Sequence, residues 1–158
     1  MTEDNKDKLK LLKRYQYDLT RQYDADPETR TITNLVMLDV LDVYEYDGTT
    51  YIVFISWYNK EYDEHGDYYY RSLLLKVYPV DAADVDDETR VRAIMAEGNG
   101  FKKELSVGPY LPTSYGDDRG RDGNYDCLYF STRSEENFTK DIRSRVIFAL
   151  NEYLAEKS

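Results

Sequence analysis

The sequence predicts an α+β fold in which an antiparallel sheet carries helices on one of its faces. Three observations lead to this fold class. Runs rich in Val, Ile, Thr and Tyr fill the first half, Asp47-Gly48 divides the longest of them, and segments near both ends space apolar residues three or four apart. The predicted element order is α-β-β-β-α-β-β-α. A chain of 158 residues without an internal repeat or linker is expected to form one domain, residues 1–158.

Residues 5–22 are predicted to form the first helix. Leu9, Leu12, Tyr15 and Leu19 have the spacing of an amphipathic helix, and Asp4 is a candidate N-cap. The helix is expected to end before Pro27, because the residue before a proline disfavours the helical conformation.

The next stretch, TITNLVMLDVLDVYEYDGTTYIVFISWY, predicts a β-hairpin that turns at Asp47-Gly48. This dipeptide favours a type I′ turn, which needs a positive φ at both central residues. A two-residue turn at this point fixes the register of the hairpin. The expected facing pairs are Tyr44 with Tyr51, Asp42 with Val53, Leu41 with Phe54, and Val40 with Ile55.

Five further elements are predicted along the rest of the chain. A strand, YYYRSLLLKVYPV, is followed by a helix within VDAADVDDETRVRAIMAEGNG, which has acids in its first turn and Gly98 at its end. FKKELSV and YDCLYFS are predicted as strands. Ser134 begins a last helix. Its apolar stripe consists of Phe138, Ile142, Val146, Ala149, Leu150 and Tyr153.

The charge of the chain is concentrated in one segment. The formal net charge is −10, and residues 31–89 contain thirteen acids against three bases. Such a field repels the phosphates of nucleic acids and attracts basic surfaces. The alternative is that the acids serve solubility alone. The 17 tyrosines suit half-buried sheet faces and protein interfaces, and they can equally replace Phe in the protein's own core.

The expected location is the cytoplasm. The single cysteine, Cys127, cannot form an intramolecular disulfide and lies in an apolar run, so it is expected to be a small buried hydrophobe. The N-terminal MTEDNKDKLK has no apolar segment of the kind found in signal peptides. No stretch approaches the ~20 apolar residues of a membrane span.

The one histidine, His65, lies in the acidic stretch EYDEHGDYYY. A metal site here would need further ligands from distant parts of the chain. His65-Gly66 also makes a good turn, because glycine readily adopts the left-handed conformation. We therefore interpret Glu61–Tyr70 as a hairpin connection followed by the start of a strand.

No other segment provides a complete catalytic or metal-binding motif. Asp117 to Asp126 resembles part of a calcium loop, but Gly120 and Tyr129 stand where two of its ligands belong. Asp39 and Asp42 are three apart on a strand and therefore point to opposite faces, one toward water and one satisfied by Lys76 or Arg71. Phosphate-binding and nucleophile motifs are absent. We expect no enzyme and no cofactor or metal, with an acid-only hydrolase as a minor alternative.

The second half of the chain resembles the type III secretion chaperones and their YbjN-like relatives. The likeness starts near Tyr68 and consists of the strand ending in KVYPV, the helix leading to Gly98-Asn99, the segment GPYL, the strand CLYF and the long last helix. The GDDRGRDGN insertion and the tyrosine-rich hairpin depart from the family. The resemblance implies a dimeric, non-enzymatic protein that holds another polypeptide in extended form.

These features together predict a protein-binding module of the adaptor or chaperone kind. The expected partners are a protein with a basic surface and a second copy of the chain, with no direct contact to nucleic acid or membrane. The alternative is an inhibitor that imitates nucleic acid, of the anti-CRISPR-like kind that phages encode. The candidate interaction residues are acids and tyrosines of the middle segment: Asp42, Tyr44, Tyr51, Glu61, Tyr62, Asp63, Glu64, Asp67, Tyr68, Tyr69, Tyr70, Asp84, Asp86 and Asp87.

Overall fold

A computed structural model describes residues 8–28, 31–62, 68–105 and 134–157. These residues form a five-stranded antiparallel sheet and two α-helices, so the α+β class is confirmed. The strands are β1 (Leu9–Asp26), β2 (Thr31–Tyr46), β3 (Thr49–Tyr62), β4 (Tyr68–Val80) and β5 (Phe101–Leu105). A 3-10 turn (Ala82–Asp84) precedes helix α1 (Glu88–Ala96), and α2 spans Glu135–Lys157. The predicted strand YDCLYFS and Cys127 lie outside the described residues.

The strands lie in the order β1-β2-β3-β4-β5, so each one pairs with its neighbour in sequence. The β2–β3 turn has positive φ at Asp47 (52°) and Gly48 (88°), as a type I′ turn requires. The four predicted facing pairs of this hairpin are all present. A short turn therefore sets the register of the two central strands.

The prediction of a helix at residues 5–22 is wrong, because β1 occupies residues 9–22 of this segment. Its pairing with β2 is interrupted twice, between Leu11 and Lys13 and between Arg14 and Gln16. Each interruption inserts an extra residue that shifts the side-chain alternation by one position. Leu9, Leu11 and Tyr17 consequently contact one core cluster, whereas Tyr15 packs against the other.

The two helices cover opposite faces of the sheet, which corrects the prediction of helices on one face. We call the side that carries Val40, Tyr44 and Ile55 the first face, and α2 packs on it. The second face carries Leu41 and Ile52 and packs against α1 and against Val85, the residue that follows the 3-10 turn. Successive residues of a strand alternate between the two faces, so β2 contributes to both cores.

α1 ends just before Gly98 and α2 begins just after Ser134, as the sequence predicts. Asp87 caps α1 by accepting a hydrogen bond from the Thr89 N–H at 3.0 Å, and Gly98 closes it with a φ of 78°. Ser134 accepts a hydrogen bond from the Asn137 N–H at 3.3 Å at the start of α2. The predicted stripe of α2 from Phe138 to Leu150 is fully buried, and Tyr153 is partly buried.

Candidate interaction surface

A buried ion pair joins β1 to β2 on the first face. The Arg14 guanidinium donates to both oxygens of the Asp42 carboxylate, at 2.7 and 2.8 Å, and Asp42 is 0% exposed. The Tyr44 hydroxyl donates to the same carboxylate at 3.2 Å. Arg14 also donates to Thr139 at 2.6 Å and to Glu135 at 3.2 Å, in the first two turns of α2. The cluster therefore fastens two strands to the start of the long helix.

The protonation of this cluster follows from its burial. Burial raises the pKa of Asp42, and the bidentate contact with Arg14 opposes that rise. Burial alone would lower the pKa of Arg14, but the hydrogen bonds and charge of Asp42 outweigh it and raise this pKa. Burial and the neighbouring charge of Asp42 raise the pKa of Tyr44, so its hydroxyl stays a donor. Each of these three side chains has a hydrogen-bond partner within the cluster, so the role of the cluster is structural.

Three of the predicted interaction residues therefore do not lie on a surface. Asp42 and Tyr44 belong to the buried cluster around Arg14. Tyr51 is 2% exposed and packs edge-on against Tyr153. The partner predicted for the buried member of the pair Asp39 and Asp42, Lys76 or Arg71, is also wrong, since the buried member is Asp42. Arg14 takes this role, because residues 5–22 form a strand beside β2 instead of a helix. Asp39 and Asp42 do point to opposite faces, and Asp39 accepts a hydrogen bond from Ser56 at 3.1 Å.

Three further candidates lie before and at the start of α1. Asp86 and Asp87 are exposed, and the carboxylate of Asp87 caps the helix. Asp84 is half-buried and lies 3.6 Å from the guanidinium of Arg90. Exposed pairs of this kind contribute at most about 1 kcal/mol. Asp84 and Asp87 therefore have local partners, and capping explains Asp87.

The remaining candidates belong to the β3–β4 hairpin. Asp63, Glu64, His65 and Asp67 lie outside the described residues, as does the calcium-like loop Asp117 to Asp126. The backbone of the flanking residues pairs in the ladder, with Tyr62 opposite Tyr68, Glu61 opposite Tyr69, and Lys60 opposite Tyr70. The predicted hairpin connection thus joins two strands that do pair with each other.

The structure reveals a surface that the sequence interpretation missed. On the second face, the core cluster that includes α1 takes its described sheet residues only from the half nearest the β2–β3 turn. Met37 and Tyr58 lie directly opposite each other in the other half, Leu74 lies on β4, and all three are half-buried and outside both core clusters. The continuous apolar run in β2 was the available signal, because it places hydrophobic side chains on both faces.

Acidic residues border these three side chains. One row across the second face runs Asp18, Asp39, Ser56, Leu74 and Glu104. Asp18 and Glu104, at its two ends, are exposed. Lys76 and Lys102 lie in the next row toward α1. We call Met37, Tyr58 and Leu74, with their acidic border Asp18, Asp39 and Glu104, the distal patch.

The described residues contain no group of three or more His, Cys, Asp or Glu side chains placed to hold a metal ion. Neither described helix combines the length and apolar character that crossing a membrane would require. No family model matches the sequence, and neither a curated protein nor a solved structure matches the chain.

Proposed function

We propose that the chain is a non-enzymatic protein-binding module that engages a basic protein partner through the distal patch. The observation that carries this proposal is the patch itself, an apolar centre with an acidic border on the half of the second face that lies outside the α1 cluster. Protein interfaces commonly combine an aromatic anchor with a polar rim. Tyr58 is the natural anchor, because it is half-buried and stands opposite Met37.

Charge argues for a basic partner. The chain carries a net charge of −10, and all of the excess falls between residues 31 and 89. β3 and β4 lead from the patch toward Glu61–Asp67, which contains four acids and no base. Complementary charge accelerates association and fixes orientation, whereas the apolar centre supplies most of the affinity. The proposed surface therefore extends from the distal patch along this hairpin.

Replacing Tyr58 by alanine tests the proposal. The immobilised chain is used to capture a partner from its native host, and the purified partner then provides a dissociation constant for each variant. Loss of a hot-spot aromatic costs at least about 2 kcal/mol, so Tyr58→Ala is expected to weaken binding by about 30-fold. Phe148→Ala is the matched control, since this exposed aromatic lies on α2, on the opposite side of the sheet. It should leave the dissociation constant within threefold.

Two outcomes would contradict the proposal. Equal binding by the Tyr58 and Phe148 variants, with unchanged thermal stability, would remove the distal patch from the interface. Failure to capture any protein, together with turnover in a substrate screen, would show that binding is the wrong class of function.

Asp63→Lys combined with Glu64→Lys should slow association with the partner while the dissociation rate stays the same, and His65→Ala should change neither rate.

The salt dependence of binding separates this proposal from nucleic-acid mimicry. A partner held by an apolar centre loses little affinity between low and physiological salt. A nucleic-acid mimic depends on charge for its affinity and weakens steeply over the same range.

A further inference from the structure

The outer edge of β1 has no neighbouring strand among the described residues. β1 is the terminal strand in the sheet order and is 18 residues long. Its pairing with β2 is irregular up to Gln16 and continuous from Gln16 to Asp26. Bulges and charged side chains protect sheet edges from indiscriminate pairing. The first half of β1 has this protection, whereas the second half presents a regular row of backbone N–H and C=O groups.

The charges along β1 are self-complementary. Its first half, residues 9–17, contains Lys10, Lys13 and Arg14 and no acid. Its second half, residues 18–26, contains three acids and one base, Arg21. Arg14 is already paired with the buried Asp42, so Lys10 and Lys13 carry the remaining positive charge of the first half. Antiparallel pairing of two copies sets each basic half against an acidic half, whereas parallel pairing would set like halves together.

We propose that two copies of the chain pair antiparallel through their β1 edges, so that their described strands form one continuous sheet of ten. A two-fold axis perpendicular to the sheet produces this arrangement and keeps the second faces on the same side. An axis at Asp18 or Arg21 would place like charges directly opposite each other, which destabilises a strand pair. The axis therefore lies at Leu19 or Thr20, and the regular ladder begins at Gln16 in both copies.

This dimer places the two distal patches side by side. β3 of one copy lies five strand spacings from β3 of the other, or about 24 Å. The pairing itself rests on the edge and charge pattern of β1 and holds whether or not the distal patch binds a partner. A partner with two matching elements would gain avidity from the doubled surface.

A charge-exchange experiment tests the pairing. One variant carries Lys10→Glu with Lys13→Glu, and the other carries Asp24→Lys with Asp26→Lys. The parent chain should sediment at twice its 18.7 kDa mass, and each variant alone should sediment as a monomer. An equimolar mixture of the two variants should restore the dimer, because each altered half then faces an opposite charge. Circular dichroism and the melting temperature verify that both variants fold.

Disulfide trapping provides a second readout that leaves the charges intact. Facing residues of an antiparallel pair have Cα atoms about 4.5–5.5 Å apart, which suits a disulfide. In a Cys127→Ser background, either Leu19→Cys or Thr20→Cys should form a cross-linked dimer on oxidation, and Phe148→Cys should not. The proposal is overturned if the parent is monomeric up to millimolar concentration. It is also overturned if both charge variants remain dimers alone, or if neither β1 cysteine cross-links in preference to Phe148→Cys.

Discussion

Replacing Asp42 by alanine is expected to lower the free energy of unfolding by about 3–5 kcal/mol. The change removes a carboxylate that is 0% exposed and receives two hydrogen bonds from Arg14 and one from Tyr44. The guanidinium of Arg14, whose side chain is only 12% exposed, then remains without its main counter-charge. A buried charge without a partner is far more costly than the pair itself. Urea denaturation followed by circular dichroism measures the loss.

Two further variants make this prediction specific. Asp39→Ala is the matched control, because Asp39 is a half-buried aspartate of the same strand with a hydrogen bond from Ser56. Asp39→Ala should lower the free energy of unfolding by no more than about 1.5 kcal/mol. Combining Arg14→Met with Asp42→Leu should recover most of the lost stability, since apolar side chains of similar size can replace a buried pair. A loss below 1 kcal/mol for Asp42→Ala would show that Arg14 finds another partner.

Replacing Phe138 by alanine is expected to lower the free energy of unfolding by about 3–5 kcal/mol. Phe138 is 0% exposed and lies in the first turns of α2. Its ring meets Tyr17 edge-on at 5.7 Å and lies 5.7 Å from the guanidinium carbon of Arg14. The substitution leaves a cavity where α2, β1 and the buried ion pair meet. A typical domain has 5–15 kcal/mol of stability, so the variant should unfold at a much lower urea concentration.

Phe148 provides the control within the same helix. It is 45% exposed, and its contact with Lys103 is a cation–π distance of 5.4 Å at the surface. Phe148→Ala should change the free energy of unfolding by no more than about 1 kcal/mol. Equal losses for the two phenylalanine variants would mean that α2 does not depend on its buried stripe. The dependence of the free energy on urea concentration should be the same for both, which confirms that the unfolded states are comparable.

The parts of the fold that local rules determine could be predicted from the sequence. Asp47-Gly48 sets both the turn and the register of β2 with β3, because a two-residue loop leaves no freedom to slip. Ser134 and the stripe that begins at Phe138 define α2 through capping and helical spacing. Each of these signals lies within a few residues of the structure that it determines.

β1 could not be predicted in this way, because its two bulges give the strand the apolar spacing of a helix. A regular strand alternates with a period of two, and each inserted residue delays the alternation by one position. The apolar residues Leu9, Leu12, Tyr15 and Leu19 then imitate a spacing of three and four. In the structure Leu12 is 46% exposed and Tyr15 packs on the second face, so these four residues share no single face.

One further error follows from the same mistake, and another has a separate cause. With residues 5–22 assigned to a helix, Arg14 was not available as a neighbour of Asp42, and bases on β4 took its place in the prediction. The distal patch was missed because it depends on which half of the second face α1 covers. That coverage follows from how the segment after β4 folds back over the sheet, and no local pattern reports it.

The simple order of the strands determines when the two faces of the sheet become covered during folding. Each strand pairs with the one before it, so the sheet can grow step by step as the chain is synthesised. The contact between Arg14 and Glu135 joins residues 121 positions apart, and closing an open chain of that length costs about 4 kcal/mol of entropy. Part of the second face is covered by α1 before β5 is made, whereas α2 follows all five described strands. Until α2 docks, the apolar first face of the growing sheet lacks that helix, and this interval is when the chain is most exposed to aggregation.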